Sequence, residues 1–186
     1  GGGGTVAGLP IDFDTAGVTY ALTGFGGAED ATVVAGVAGA NGSVARVVKS
    51  ATAELWAGTT VSTGANQSIA TIPFTATARS MTLRVRAPAA GIVVRLKVED
   101  AADNTHTVET EATTTVANAW ETLTFNFANQ ATGTAALNLA FTYNKASVFF
   151  AFGTTGAAGG AGTYYFDELN FVAGGGGGGG GGGTVA

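Results

Sequence analysis

Apolar and polar residues alternate along much of this chain, and that alternation limits the folds open to it. In TLRVRAPAAGIVVRLKVED (residues 82–100), valine or leucine recurs at alternate positions on both sides of a Pro–Gly turn. A period of two places successive side chains on opposite faces of a strand, whereas a helix requires a period near 3.6. The sequence therefore predicts an all-β fold without a long helix.

Turn residues recur at short intervals between the alternating segments, as is typical of all-β domains with many short strands. The predicted strands are residues 11–13, 19–23, 44–50, 55–60, 69–75, 80–87, 92–99, 105–114, 120–127, 137–143, 147–152 and 163–171. So many short strands in one domain favour a two-layer antiparallel β-sandwich of the jelly-roll type.

Two hairpins are predicted, one turning at residues 88–91 and one at residues 100–104. They make residues 80–87, 92–99 and 105–114 consecutive neighbours in one sheet. Alternation then assigns one set of side chains to the interior. The predicted core residues are Leu83, Val85, Val94, Leu96, Val98, Val108, Leu123, Phe125, Phe127, Val148, Phe150, Leu169 and Phe171.

The same seven letters, GGGGTVA, occupy residues 1–7 and residues 180–186. A unit taken from a head-to-tail array would show this match. We therefore predict a glycine-rich linker at residues 1–8, a sandwich module at residues 9–172, and a polyglycine linker with the start of the next repeat at residues 173–186. An expression scar at both ends is the alternative.

Composition excludes several classes of function. A net charge of −5 with eight Lys and Arg residues argues against nucleic-acid partners, which require a concentrated basic field. No apolar run approaches the length of a membrane helix, so no membrane insertion is expected. The absence of cysteine excludes disulfides, thiolate metal sites and thiol nucleophiles. A cysteine-free, acidic chain rich in Thr and Gly is typical of secreted or cell-surface proteins, so we expect an extracellular location.

The three predicted neighbouring strands carry charged residues on their outward face, and four of the eight Lys and Arg residues lie there. This predicted ligand-binding face consists of Arg84, Arg86, Arg95, Lys97, Glu109 and Glu111. One interpretation is a solvated ion network that contributes little stability. The other is a polar surface that binds a ligand, because Arg and carboxylate groups form directional bonds to sugar hydroxyls or acidic sugars.

Two tryptophans fall outside the core pattern and are further candidates for ligand binding. Trp56 lies in ELWAGTT, and Trp120 has the opposite parity to Leu123 and Phe125. An exposed aromatic plane is a good complement to the C–H face of a sugar ring. For Trp120, a role in sealing the edge of the sandwich is the other interpretation.

Asp167 shares the parity of Leu169 and Phe171, which predicts that its carboxylate points toward the core, where an unpaired charge is costly. A calcium ion would compensate it with oxygen ligands alone. Asp12 or Asp14, and Glu29 or Asp30, are the candidate ligands beside it. The alternative is a hydrogen-bonded acid without a metal.

Nothing in the sequence predicts an enzyme, and no catalytic residue is assigned. His106 is the one histidine of the chain and has no serine elbow nearby. Glu109 and Glu111 lie on one strand and project from one surface, so they do not flank a substrate as glycosidase carboxylates do.

The segments WETLTFNF (residues 120–127), FTYNKASVFFAFG (residues 141–153) and TYYFDELNF (residues 163–171) resemble parts of a known family. They are similar to the non-catalytic jelly-roll carbohydrate-binding modules of secreted bacterial polysaccharide-degrading enzymes. The resemblance implies a structural calcium held by Asp167 and Asp14, and binding of a glycan or polysaccharide. The alternative hypothesis is a structural repeat of a self-assembling surface filament, sheath or adhesin, whose partners are neighbouring copies of itself.

Overall fold

A computed structural model describes residues 6–174 of the chain. Within that range the predicted all-β, two-layer antiparallel sandwich is confirmed. The strands are β1 (Ala21–Phe25), β2 (Asp30–Val34), β3 (Val44–Lys49), β4 (Gly58–Ser62), β5 (Ser80–Arg86), β6 (Val93–Asp100), β7 (Asp103–Thr113), β8 (Trp120–Asn126), β9 (Lys145–Phe150) and β10 (Gly162–Val172). Short helical turns occupy Ala65–Gln67 and Gly156–Gly160, and no helix in the described range is long and apolar enough to cross a membrane.

Each layer of the sandwich is a five-stranded antiparallel sheet. The first sheet has the order β1-β4-β9-β6-β7, and the second has the order β2-β3-β10-β5-β8. Consecutive strands therefore often lie in different sheets, which is the reason that strand neighbours are hard to assign from sequence.

The predicted hairpin at residues 88–91 is wrong. β5 pairs with β8 and β10 in the second sheet, whereas β6 pairs with β7 and β9 in the first. The connection between β5 and β6 carries the chain from one layer to the other. The hairpin at residues 100–104 is confirmed, because β6 and β7 pair from Val93 opposite Thr113 to Asp100 opposite Asp103.

Side chains from both sheets form one core between the layers, and every predicted core residue is buried. Phe150 of β9 stacks on Tyr164 of β10, with ring centroids 4.8 Å apart. Lys49 of β3 is also buried, and its ammonium donates hydrogen bonds to the carbonyl oxygens of Phe150 and Ala151 at 3.1 and 3.0 Å. Burial lowers the pKa of Lys49 below its usual value.

Two predicted strands, residues 69–75 and 137–143, are irregular segments, and a third, residues 11–13, forms only a single bridge from Ile11 to Leu169. β2 is a strand that the sequence analysis missed. The irregular segments still pack on the core, where Phe74 contacts the rings of Phe127 and Tyr143. The predicted boundaries of the module lie near the ends of the described range. Residues 1–5 and 175–186, which contain most of the predicted linkers and the whole second copy of GGGGTVA, lie outside the described residues.

Candidate functional site

The outer face of the first sheet carries a groove of about 460 Å³. It exists because Val94, Leu96 and Val98 of β6 point into the core, which leaves the alternate side chains of the strand outside. The groove is lined by Thr23, Phe25, Trp56, Thr60, Gln67, Arg95, Lys97, Glu99, Glu109, Lys145, Ser147, Phe149 and Phe152.

A polar row crosses the floor of this groove from edge to edge. The strand registers place Thr23, Thr60, Ser147, Lys97 and Glu109 opposite one another in succession. Five strands about 4.8 Å apart give the row a length of roughly 19 Å. The hydroxyls of Thr60 and Ser147 are hydrogen-bonded to each other at 2.7 Å. The row places hydroxyl, ammonium and carboxylate groups in a line, and the two central residues, Thr60 and Ser147, are buried at the floor of the groove.

An aromatic cluster lies along one side of the polar row. Phe25 is stacked with Trp56 at 6.3 Å between ring centroids, and it meets Phe149 edge-on at 5.6 Å. Phe149 in turn meets Phe152 edge-on at 5.7 Å. Trp56 is 47% exposed, so part of the indole is open to solvent. The cluster offers apolar ring surface beside the hydroxyl row.

Two glycines allow these rings to lie where they do. A Cβ at Gly26 would lie 2.7 Å from Cζ3 of Trp56, and Gly26 has φ of +68°, a conformation that favours glycine. A Cβ at Gly58 would lie 2.6 Å from Cδ1 of Phe149 and 2.8 Å from Cζ of Phe25. The chain therefore places its smallest residue directly beneath the aromatic cluster.

Arg95 and Lys97, two of the basic groups of the groove, are held by carboxylates. The guanidinium of Arg95 donates to Glu109 at 2.8 Å and to Glu111 at 2.6 and 2.8 Å. It also lies over the ring of Phe152, 3.5 Å from the centroid. The ammonium of Lys97 lies 3.0 Å from a carboxylate oxygen of Glu99. These pairs orient the side chains while leaving little net charge on the groove.

The predicted ligand-binding face is divided between the two sheets. Arg95, Lys97, Glu109 and Glu111 lie together on the first sheet as predicted. Arg84 and Arg86 lie on the outer face of the second sheet, because β5 belongs to that sheet. The prediction that all six residues share one surface is therefore wrong.

The two predicted tryptophans are separated in the same way. Trp56 lines the groove. Trp120 begins β8 of the second sheet, where Arg84 lies over its ring and its indole N–H donates to the carbonyl of Ala38 at 3.0 Å. Those contacts favour the sealing role for Trp120.

Sequence reasoning missed the aromatic members of the groove apart from Trp56. The outward direction of Phe149 could have been predicted from the alternation, because it lies between the inward-pointing Val148 and Phe150. Phe25 and Phe152 carry no comparable signal, because each adjoins a loop at the end of its strand.

The candidate calcium ligands do not converge. Asp12 accepts hydrogen bonds from Thr15 and Tyr20, Glu29 accepts one from the backbone N–H of Gly27, and Asp30 is paired with Arg46. No group of three or more acidic or other metal-binding side chains that could hold an ion occurs within residues 6–174. Asp14 is near enough for its charge to raise the pKa of Asp167, but Asp14 is exposed and a guanidinium faces Asp167. The described residues therefore do not fit a calcium site, and calcium stays a prediction of the sequence.

Asp167 also points the other way from its predicted direction. Between Asp167 and Asn170 the pairing with β5 shifts register, so three steps along β10 match two steps along β5, from Arg84 to Thr82. Such a bulge reverses the alternation. Asp167 thus faces outward opposite Arg84, yet it is only 2% exposed.

Comparison with known proteins gives similarity in structure but not in sequence. No family model matches the chain, and no curated protein matches it. A family 11 carbohydrate-binding module from Clostridium thermocellum, solved in complex with a β-1,3-1,4-mixed-linked tetrasaccharide, aligns with a TM-score of 0.57 and 13% identity over 89% of this chain and 94% of that one. The CBM22-2 xylan-binding domain from Paenibacillus barcinonensis aligns with a TM-score of 0.52 and 11% identity over 88% and 97%.

The chain has the fold of a carbohydrate-binding module. At these low identities the structural similarity establishes the β-sandwich fold, which the resemblance in sequence implied. It does not identify a ligand.

Proposed function

We propose that this chain is a non-catalytic module that binds a glycan or polysaccharide in the groove of the first sheet. The single observation that carries the proposal is the aromatic cluster beside a polar row on an open sheet face. A sugar ring has an apolar C–H face and a rim of hydroxyls, so it matches a surface with those two parts. Among the structural neighbours, one carbohydrate-binding module was solved with a tetrasaccharide and another is named as a xylan-binding domain. Both support the same assignment.

Each part of the groove has a role in this proposal. Trp56 supplies the exposed ring surface against which a sugar stacks, and Phe25 backs it. Thr60, Ser147 and the ion-paired Lys97 supply donors and acceptors for hydroxyls. Glu109 and Glu111 hold the Arg95 guanidinium in one orientation. The part of Arg95 that lines the groove therefore meets a ligand in a fixed position.

A binding role is also supported by what the polar groups already do. The groove lining includes no histidine, and its hydroxyl pair, Thr60 and Ser147, is hydrogen-bonded internally. Glu99 and Glu109 are each held by a cation. We propose on this basis that the module is not an enzyme. An extracellular location and contact with neighbouring copies stay predictions of the composition and of the repeated ends.

The test is a binding screen of the full chain against soluble and insoluble polysaccharides, followed by calorimetry on any ligand found. Trp56→Ala is expected to weaken binding at least about tenfold, because truncation of a central aromatic anchor typically costs roughly 2 kcal/mol or more. Trp120→Ala is the matched control, since it removes an indole from the opposite face. The proposal fails if the intact chain binds no polysaccharide, or if folded Trp56→Ala protein binds as well as the wild type.

A further inference from the structure

The second sheet has a buried acidic site on its outer face, under the segment that joins β2 to β3. Asp167 lies there with 3% of its side chain exposed, and one of its oxygens accepts the backbone N–H of Glu168 at 2.8 Å. Asp14 lies close enough for its negative charge to raise the pKa of Asp167, and both Asp14 oxygens accept the backbone N–H of Ser43. Asp14 is exposed and Asp167 is buried, so it is the Asp167 carboxylate that lies in a poorly solvated space and requires a compensating positive charge.

Arg84 of β5 brings a positive charge to this space. It lies directly opposite Asp167 in the strand register, and its Nη1 is 4.0 Å from a carboxylate oxygen of Asp167. Only 16% of the Arg84 side chain is exposed. Nη1 has no hydrogen-bond partner of its own, so its charge is directed at the carboxylate and is not used elsewhere.

Other contacts hold the Arg84 guanidinium in place. Its Nη2 donates to the carbonyl of Gly39 at 2.7 Å, and its plane lies over the ring of Trp120, 4.7 Å from the centroid. Trp120 is itself tied to Ala38. The covering segment, Trp120 and Arg84 therefore form one connected arrangement, which fixes the cation beside the acids.

We propose that Arg84 is the counter-ion of the buried Asp167 carboxylate, and that this carboxylate is balanced by the chain's own guanidinium and does not require calcium. A calcium ion would take its ligands from the same oxygens, and a guanidinium N–H donor beside those oxygens repels a metal ion. Nη1 of Arg84, which has no hydrogen-bond partner, is a donor and therefore requires an acceptor and not a metal ion. The contact joins β10 to β5, and removing one partner would leave the other as a buried polar group without its counterpart.

The experiment is a double-mutant cycle on the full chain, with thermal midpoints measured in metal-free buffer, with chelator and with added calcium. The wild-type midpoint is expected to stay within about 1 °C in all three conditions, since no ligand stabilises the folded state. Arg84→Met should lower the midpoint by roughly 5 °C or more, because it leaves the buried Asp167 carboxylate without a counter-ion. In an Asp167→Asn background the same change should cost less than half as much.

Arg86→Met is the matched control, because Arg86 lies two residues along the same strand and outward, with Tyr165 and not an acid beneath it. Its effect should be the same with and without Asp167→Asn. If Arg84→Met does not fold, Arg84→Lys replaces it in the cycle with a smaller expected loss. Chelator that lowers the wild-type midpoint, with recovery on adding calcium, would overturn the proposal, and so would equal Arg84 effects in both backgrounds.

Discussion

Asp167→Asn should change how the stability of this protein depends on pH. Burial is the main cause that raises the pKa of Asp167 from 3.8 to about 6. Each pKa unit corresponds to about 1.4 kcal/mol, so ionising Asp167 costs the folded state roughly 3 kcal/mol relative to the unfolded chain. Asparagine keeps the size of the side chain and an oxygen that accepts the Glu168 N–H, while it removes the titration.

The sign follows from proton binding. Between pH 3.8 and about 6 the folded state holds the Asp167 proton that the unfolded state has released. The Asp167 contribution to the free energy of unfolding is therefore fully present below pH 3.8 and is lost as the pH rises through about 6. The wild-type value minus the Asp167→Asn value should fall by roughly 3 kcal/mol between acidic and neutral pH.

Urea denaturation of both proteins at a series of pH values measures that difference directly. Asp30→Asn is a control, because it removes an acid whose side chain is 58% exposed. In this variant the free energy of unfolding should change with pH in the acidic range much as it does in the wild type. Parallel stability curves for the wild type and Asp167→Asn would refute the reasoning, since they would mean that Asp167 binds its proton no more tightly in the folded state.

Two further predictions concern the groove floor and the interior. Gly58→Ala adds a Cβ that would lie 2.6 Å from the Phe149 ring, so we expect a loss of about 1–3 kcal/mol in stability together with weaker glycan binding, measured by urea denaturation and calorimetry. Because burial lowers the pKa of Lys49 below 10.5, its contribution makes the free energy of unfolding rise with pH up to that value. Lys49→Met should flatten this alkaline slope, and an unchanged slope would contradict the assignment.

The alternation of side chains was sufficient to predict most of the strands and a set of core residues that are all buried. β5, β6 and β7 lie close to their predicted positions, and residues such as Leu83, Leu96 and Val108 are buried as expected. This succeeds because the period of a strand decides which side chains are buried wherever the strand lies.

The assignment of strands to sheets could not be predicted in the same way. In a sandwich both sheets send their alternate residues into one core, so Leu83 and Leu96 have the same pattern although they lie in opposite layers. The short connection after β5 was consistent with a hairpin, but the structure uses it to change layers. That one ambiguity placed Arg84 and Arg95 on a single predicted surface.

Local irregularity accounts for the remaining errors. The bulge after Asp167 reverses the parity on which its inward direction was predicted, and Glu168 within the bulge has a positive φ of 49°. A single inserted residue leaves no periodic signal in the sequence. Residues 69–75 alternate like a strand, yet their backbone serves as a covering loop over the end of the sandwich.

The layer change between β5 and β6 has a consequence for how this protein tolerates substitution. The groove and the Arg84–Asp167 site lie on opposite exteriors with the whole hydrophobic interior between them. Exposed side chains of the groove, such as Trp56, can therefore be substituted without disturbing the ionic contact between Arg84 and Asp167 in the opposite layer.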